Sequence, residues 1–393
     1  MKYIYMDHAA TTSVSERALQ AMLPYFREEY GNPSAVYNYG QAGKNVVEKC
    51  RNRIAKTIGA LSTEIYFTSG GTESDNWVIQ SVCRSKKSKG NHIISTSIEH
   101  NAVKKTLAAM EEEGFEVTYL DPDRYGQISV EQLEKAIRKD TILVTVMLAN
   151  NVVGSILNIK ELAKTAHKHH ILFHTDAVQA VGHIPVNVRD LGVDFLSISA
   201  HKFNGPKGVG ALFCRLPYHL KPLLLGGGQE KGGRSGTENV PGIVGMAEAL
   251  EEAVERLPCS MEYLDDLRAY LMDGMQRIPG IHVTGDENNH LPGFCSFVVE
   301  DIPHSVLLVN AMNEKGVCVS SGSACSASSK EASHVLLALG YDEKLANSAL
   351  RITLGMDNSK EDVEYVVQTL ADALTAIQAE QTAYSHRFEG SVN

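Results

Sequence analysis

The sequence lacks paired cysteines, long hydrophobic runs and blocks of like charge. Its seven cysteines are odd in number, scattered and never spaced as Cys-x-x-Cys, which excludes a disulfide framework and a zinc knuckle. The longest nearly apolar run, 142–149, is far too short to cross a bilayer. The net charge is −10 and there is no basic stretch, which argues against binding to nucleic acid or to an anionic membrane surface.

What is present is the composition of a globular protein. Apolar residues make up 43% and charged residues 21% of 393 residues, enough chain for two or three domains and a large core. Charge enters already at Lys2 and Asp7, which is too early for a signal peptide, so we expect a cytoplasmic protein.

Short apolar segments alternate with helical patterns through the first 214 residues. The segments predict strands at 64–68, 92–96, 115–120, 142–148, 172–176, 195–199 and 209–214. Helices are predicted before and between them, at 13–30, 41–58, 102–113, 130–138 and 159–170, with a further one around Trp77. This alternation predicts an α/β fold with a mostly parallel sheet covered on both faces.

Polar side chains follow several of the predicted strands. In such sheets a ligand binds beyond the carboxyl ends of the strands, so a shared position there predicts one binding site. The residues in this position are Thr72, His100, Asn151, Asp176 and Lys202.

Lys202 comes directly after strand 195–199 and before a stiff Gly-Pro-Lys-Gly turn at 205–208. Partial burial there would lower the pKa of the amine and suit it to Schiff-base chemistry. On this stretch alone, an ordinary solvated loop lysine is an equal alternative.

Gly70 and Gly71 separate strand 64–68 from the helix around Trp77. Glycine lets the backbone approach a ligand, and a helix N-terminus offers unpaired N–H groups, so the arrangement favours anion binding. A simple turn is the alternative.

Two further residues carry chemistry. Cys325 lies in a run of small residues at 320–329 without periodicity, which indicates an exposed thiol or an incidental one in a linker. Arg351 lies inside an apolar strand and requires an anion, either a ligand carboxylate or an intramolecular partner.

Beyond residue 214 the pattern changes. A glycine-rich loop at 225–237 precedes two predicted helices, 242–256 and 261–277. Shorter units follow and predict a second, smaller α/β domain, with strands near 294–299 and 317–320 and helices near 304–314 and 360–378. The histidines at 167, 169 and 170 are interpreted as a solvated helix end and not as a metal site.

Together these stretches resemble the cysteine desulfurases of the NifS/IscS kind, class-V members of the fold-type-I enzymes that use pyridoxal phosphate (PLP). The resemblance covers nearly the whole chain. It rests on ordered motifs at 7–12, 30–34, 68–76, 99–100, 176–179, 199–202, 234–237 and 321–325. It implies a large PLP-binding domain over 13–260 with a seven-stranded, mostly parallel sheet. Residues 1–12 with 261–393 would form a small domain that carries a mobile cysteine loop over 320–330.

The resemblance assigns roles around the cofactor. Lys202 would form the internal aldimine and then move protons at the substrate Cα. Asp176 would keep the pyridine nitrogen protonated, so that the ring stays an electron sink. Gln179 and Asn151 would hydrogen-bond the ring oxygen, and His100 would stack on the ring and act as acid or base.

The resemblance also implies how phosphate, substrate and sulfur are handled. Thr237 would reach the phosphate from the partner subunit of a homodimer, while Arg351 with Asn151 would hold the carboxylate of L-cysteine. Cys325 would take the sulfur as a persulfide, release alanine and pass the sulfur to an acceptor protein for iron–sulfur cluster assembly or tRNA thiolation. The phosphate ligands of the same chain would be Gly71, Thr72, Ser199 and His201.

Three positions depart from the family pattern. Val152 stands where an acidic residue is usual, and Thr353 and Met356 replace Ser and Arg. The alternatives are a selenocysteine lyase or another class-V aminotransferase, although an aminotransferase needs no thiol at Cys325. A purely binding protein would be expected to have lost the lysine or the cysteine.

Overall fold

The structure is a computed structural model that describes residues 3–322 and 332–389. Within these residues it has twelve strands, thirteen α-helices and three short 3-10 helices. The strands are β1 (Ile4–Tyr5), β2 (Ile65–Thr68), β3 (His92–Thr96), β4 (Glu116–Leu120), β5 (Thr141–Thr145), β6 (Leu172–Asp176), β7 (Phe195–Ser199), β8 (Gly210–Cys214), β9 (Ile281–Val283), β10 (Phe294–Val299), β11 (Val317–Cys318) and β12 (Leu350–Thr353).

The helices fall between and after the strands, as the alternation predicts. They are α1 (Glu16–Met22), α2 (Pro24–Arg27), α3 (Asn38–Thr57), α4 (Gly71–Lys86), α5 (Asn101–Glu112), α6 (Val130–Ala136), α7 (Ile159–Lys168), α8 (Val188–Leu191), α9 (Val240–Gln276), α10 (Val306–Glu314), α11 (His334–Ala338), α12 (Glu343–Asn347) and α13 (Lys360–Glu389). The 3-10 helices are Ser62–Glu64, Ala200–Lys202 and Glu230–Gly232.

Seven strands form one sheet in the order β2-β8-β7-β6-β5-β3-β4. Only β8 runs against its neighbours, pairing antiparallel with both β2 and β7, while the other pairs are parallel. The expectation of a seven-stranded, mostly parallel sheet is therefore confirmed.

Both faces of this sheet are packed. Successive residues of one strand enter different core clusters: Leu172 packs with Trp77 and helix α5, whereas Phe173 packs in the cluster of helices α3 and α7. Because side chains alternate across a strand, this division shows helices covering each face. The carboxyl ends of β3, β5, β6 and β7 consequently open at one edge.

The remaining strands form two small sheets near the chain termini. β12, β10 and β9 pair antiparallel, and β1 pairs parallel with β11. A separate apolar cluster joins Met6 to the second half of α9 and to α10 and α13. The N-terminal segment thus packs with the C-terminal third of the chain.

Two predicted helix boundaries are wrong. The helices expected at 242–256 and 261–277 are one helix, α9, with Pro258 inside it. A proline removes one backbone hydrogen bond, but buried residues on both sides, such as Leu250 and Leu267, hold the helix through it. The helix expected at 13–30 is divided into α1 and α2, because Pro24 begins a new helix.

Within the described ranges, every helix is too short or too polar to traverse a lipid bilayer.

Candidate active site

A cavity of about 500 Å³ opens at the carboxyl ends of the parallel strands. Ten of the residues proposed from the sequence line it together: Gly71, Thr72, His100, Asn151, Asp176, Gln179, Ser199, His201, Lys202 and Arg351. The five residues that share a strand-end position in the sequence, Thr72, His100, Asn151, Asp176 and Lys202, are all among them.

Lys202 ends a 3-10 turn that begins directly after β7. Its ammonium nitrogen donates to the carbonyl oxygens of Ala9 (2.5 Å) and Ala10 (2.9 Å). The Gln179 side chain donates to the same Ala9 oxygen at 3.1 Å. The N-terminal segment is thus one wall of the cavity, and it holds the lysine at the strand end.

The turn before α4 has the shape of an anion cradle. Gly70 has φ of 150°, which favours glycine, and a Cβ on Gly71 would lie 2.4 Å from Val178 Cγ2, so a larger residue there would have to displace Val178. The first N–H groups of α4 lack intrahelical partners, and Thr72 adds a hydroxyl there. His201 lies close by, with Nδ1 3.1 Å from the Thr11 hydroxyl.

Two buried carboxyl groups line the cavity. Burial raises the pKa of Asp176, with His100 and Lys202 opposing that shift, and its Oδ1 accepts from the Val178 N–H at 2.9 Å. Burial and then Asp176 raise the pKa of Asp75, which lies 3.6 Å from His174. If a ligand placed a protonated ring nitrogen beside Asp176, the Asp176 carboxylate would stabilise that positive charge.

His100 begins helix α5 as its N-cap. Its Nδ1 accepts from the Ala102 N–H at 3.1 Å, so a neutral ring carries its proton on Nε2. Burial lowers the pKa of His100, with Asp176 opposing the shift. A neutral imidazole that offers a donor suits both stacking on a ring and acid–base work.

Arg351 is 2% exposed on β12 and reaches the cavity. It donates to Asp7 Oδ1 (2.7 Å) and to the carbonyl of Asn151 (2.6 Å). The sequence left open whether Arg351 has an anionic partner within the chain. The structure shows that it has one, Asp7, which lies 344 residues away along the chain. Thr353 holds the same segment through the Ala9 N–H (2.9 Å).

The glycine-rich loop at 225–237 is anchored at two points. Arg51 and Glu230 form a buried bidentate ion pair, with both N–O distances 2.7 Å. Arg234 pairs with Glu73, at 2.7 Å and 3.1 Å, beside the glycine turn. Thr237 is exposed and does not line the cavity of its own chain.

The remaining residues singled out from the sequence do not line the cavity or line it without an assigned role. Cys325 lies outside the described residues. Val152 is buried at the cavity wall and Met356 is 52% exposed. His167 and His169 contact Asp194 and Glu134 at 2.9 and 2.8 Å, and the described residues hold no cluster able to bind a metal.

Among the ionisable residues that line the cavity, sequence reasoning gave no role to Glu73, Asp75, Lys207 and His334. Glu73 and Asp75 lie within the glycine-turn motif, where their spacing on a helix beginning at Gly71 was the available signal. His334 stands in no motif, so nothing in the sequence singled it out.

The fold and this cavity agree with comparison to known families. The Aminotransferase class-V family model matches residues 4–366, and the chain belongs to that family. Enzymes of this class use PLP, and the glycine cradle, the buried Asp176 and the strand-end Lys202 fit that cofactor.

Individual relatives are similar to this chain over nearly its whole length. The "Cysteine desulfurase IscS" of Methanosarcina thermophila is 46% identical over 377 residues, covering 96% of this chain and 93% of that protein. The protein of the same name from Dictyoglomus turgidum is 47% identical over 368 residues, covering 93% of each chain.

Among solved structures, a "NifS-like protein" matches with a TM-score of 0.90 and 39% identity, covering 95% of this chain and 99% of that one. "SspA in complex with cysteine" matches with a TM-score of 0.79 and 36% identity, covering 89% and 98%. The prediction of a NifS/IscS-like member is confirmed.

Proposed function

We propose that this chain is a PLP-dependent cysteine desulfurase, which converts L-cysteine to L-alanine and moves the sulfur onto Cys325 as a persulfide. The observation that carries the proposal is one cavity that combines Lys202, Asp176 and Arg351. Its relatives at 46–47% identity carry the desulfurase name, and one similar structure is titled as a complex with cysteine.

The cofactor would supply an electron sink for charge that develops on the substrate. Lys202 would hold the cofactor at the strand end and would carry protons to and from the substrate Cα. Asp176 would keep a proton on the ring nitrogen, and Gln179 and Asn151 would hydrogen-bond the ring oxygen. His100 would lie over the ring and offer its Nε2 proton.

The glycine turn, Thr72, Ser199 and His201 would hold the cofactor phosphate. Substrate orientation comes from Arg351, whose guanidinium is the cation of the cavity suited to a carboxylate. Asp7 and the Asn151 carbonyl already fix that guanidinium in place, which lowers the ordering cost of binding.

We propose a homodimer in which Thr237 completes the phosphate site of the partner subunit. Two observations support this. Thr237 is exposed and lies outside its own cavity, and its loop is held by the Arg51–Glu230 and Arg234–Glu73 pairs. Leu225 on the same loop is 87% exposed, as expected of a contact residue.

Three further parts of the proposal concern organisation and sulfur delivery. The proposal also includes a large domain over 13–260 and a small domain of 1–12 with 261–393, which is supported by an apolar cluster that lies wholly within the small domain. The sulfur acceptor would be an iron–sulfur scaffold or a tRNA-thiolation enzyme. A cytoplasmic location fits the six described cysteines, all of which are free thiols.

The sulfur step is tested with Cys325→Ser and ³⁵S-labelled L-cysteine. We expect the variant to retain the visible absorbance of bound PLP and to lose protein-bound sulfur. The wild-type protein serves as the positive control. Label that still accumulates on the variant would overturn the assignment of Cys325.

A further inference from the structure

The turn between β3 and α5 is fixed from within. Glu99 is fully buried, and its Oε1 accepts from the Thr96 hydroxyl and from the Met147 N–H, each at 2.9 Å. Asn150 adds a bond to the Ile98 carbonyl at 3.1 Å. Because these contacts tie the turn to the strand ends, its backbone is a rigid support.

Two imidazoles of the cavity depend on this support. His100 follows Glu99 directly, and His334 at the start of α11 bonds to the Glu99 carbonyl oxygen through Nε2 at 3.1 Å. Both rings line the same cavity as Lys202 and Arg351.

The hydrogen bonds give the two rings opposite roles. His100 uses Nδ1 as an acceptor, so its Nε2 is a donor. A carbonyl can only accept, so His334 must carry its proton on Nε2, which leaves Nδ1 as an acceptor. The structure gives His334 Nδ1 no partner among the described residues.

The protonation state of His334 is consistent with an acceptor role for its Nδ1. Burial lowers the pKa of His334 to about 4, and Lys104 and His100 add to the shift. The ring is therefore neutral near pH 7 and offers a lone pair. A base this weak accepts a hydrogen bond from a thiol without removing its proton.

The proposed substrate leaves one group for such an acceptor. Its carboxylate accepts hydrogen bonds and belongs to Arg351, and its amino group is engaged by the cofactor. The thiol is the remaining donor. Resting on the proposed function, we infer that His334 Nδ1 accepts a hydrogen bond from the substrate thiol, and so favours L-cysteine over its product L-alanine.

The test compares His334→Leu and His334→Gln in the PLP-loaded Cys325→Ser protein. Dissociation constants for L-cysteine and L-alanine are read from the absorbance change of the bound cofactor. We expect His334→Leu to weaken L-cysteine about threefold to fivefold, the size of one weak hydrogen bond, with L-alanine unchanged. His334→Gln, whose side-chain oxygen accepts, should restore most of the preference for L-cysteine.

His169→Leu is the matched control, because His169 lies on the surface against Glu134 and outside the cavity. Equal weakening of both ligands, or no change in either, would overturn the role of His334. Failure of the proposed function is seen separately, as a wild-type protein that makes no alanine from cysteine.

Discussion

At the scale of single residues, burial determines the protonation states of the side chains in and beside the cavity. Desolvation holds His100, His201 and His334 neutral, and it raises the pKa of Asp176 and of Glu99. With the three rings neutral, the positive charges that line the cavity are those of Lys202, Lys207 and Arg351. The buried carboxyl groups therefore cost stability in exchange for a defined electrostatic environment.

Glu99 gives a pH-dependent test of this view. Burial raises its pKa to about 8, while an unfolded glutamate has a pKa of about 4.3. Between those pH values the unfolded chain releases the proton and the folded chain keeps it. The contribution of Glu99 to the free energy of unfolding is therefore fully present below about pH 4.3, and it is lost as pH rises towards about 8. Glu99→Gln removes that loss while it keeps the acceptor for Met147.

We expect the free energy of unfolding of Glu99→Gln, relative to wild type, to rise with pH by up to about 1.4 kcal/mol per unit in that window. Urea denaturation at several pH values measures it. A difference that stays constant with pH would mean that Glu99 is ionised in the folded protein.

At the scale of elements, the proposed function assigns phosphate binding to the strand-to-helix turn at Gly71. A Cβ at Gly71 would lie 2.4 Å from Val178 Cγ2 but 3.7 Å from Val178 Cβ. Gly71→Ala should weaken PLP binding by tenfold or more, because the turn and Val178 must separate; this is about 1.4 kcal/mol.

The double variant Gly71→Ala with Val178→Ala removes the Cγ2 methyl and should recover most of the affinity, read by PLP titration of the apoprotein. Val178→Ala alone is the control for the lost methyl. Should the double variant bind as poorly as Gly71→Ala, the close approach to Val178 would not be the cause.

The loop at 225–237 depends on the buried Arg51–Glu230 pair. Glu230→Gln leaves the Arg51 charge buried without a counterion and should destabilise the protein by about 3–5 kcal/mol. The exposed Arg84–Glu113 pair, at 2.8 Å, supplies the control, since Glu113→Gln should cost less than about 1 kcal/mol. Urea unfolding that gives equal losses would refute the anchoring role.

Elements with strong local signals could be predicted from the sequence. β3, β6 and β7 have the expected bounds, since apolar β-branched segments end at polar residues or turns. Helix α9 could not be, because Pro258 is a local stop signal that packing on both sides overrides.

At the scale of the whole molecule, the cavity depends on contacts between distant parts of the chain. Asp7 holds Arg351 across 344 residues, and Ala9 meets Lys202 across 193. Sequence reasoning could identify Lys202 and Arg351 as reactive types. It could not pair them with the N-terminal segment or find His334, because no local pattern encodes those distances.

The most direct measurement is the balance of products from L-cysteine. The purified PLP-loaded protein is incubated with L-cysteine and dithiothreitol, and L-alanine and sulfide are quantified, with Lys202→Ala as the control. We expect alanine and sulfide in equal amounts from the wild type and neither from Lys202→Ala. A wild-type protein that releases sulfide without alanine, or forms neither product, would contradict it.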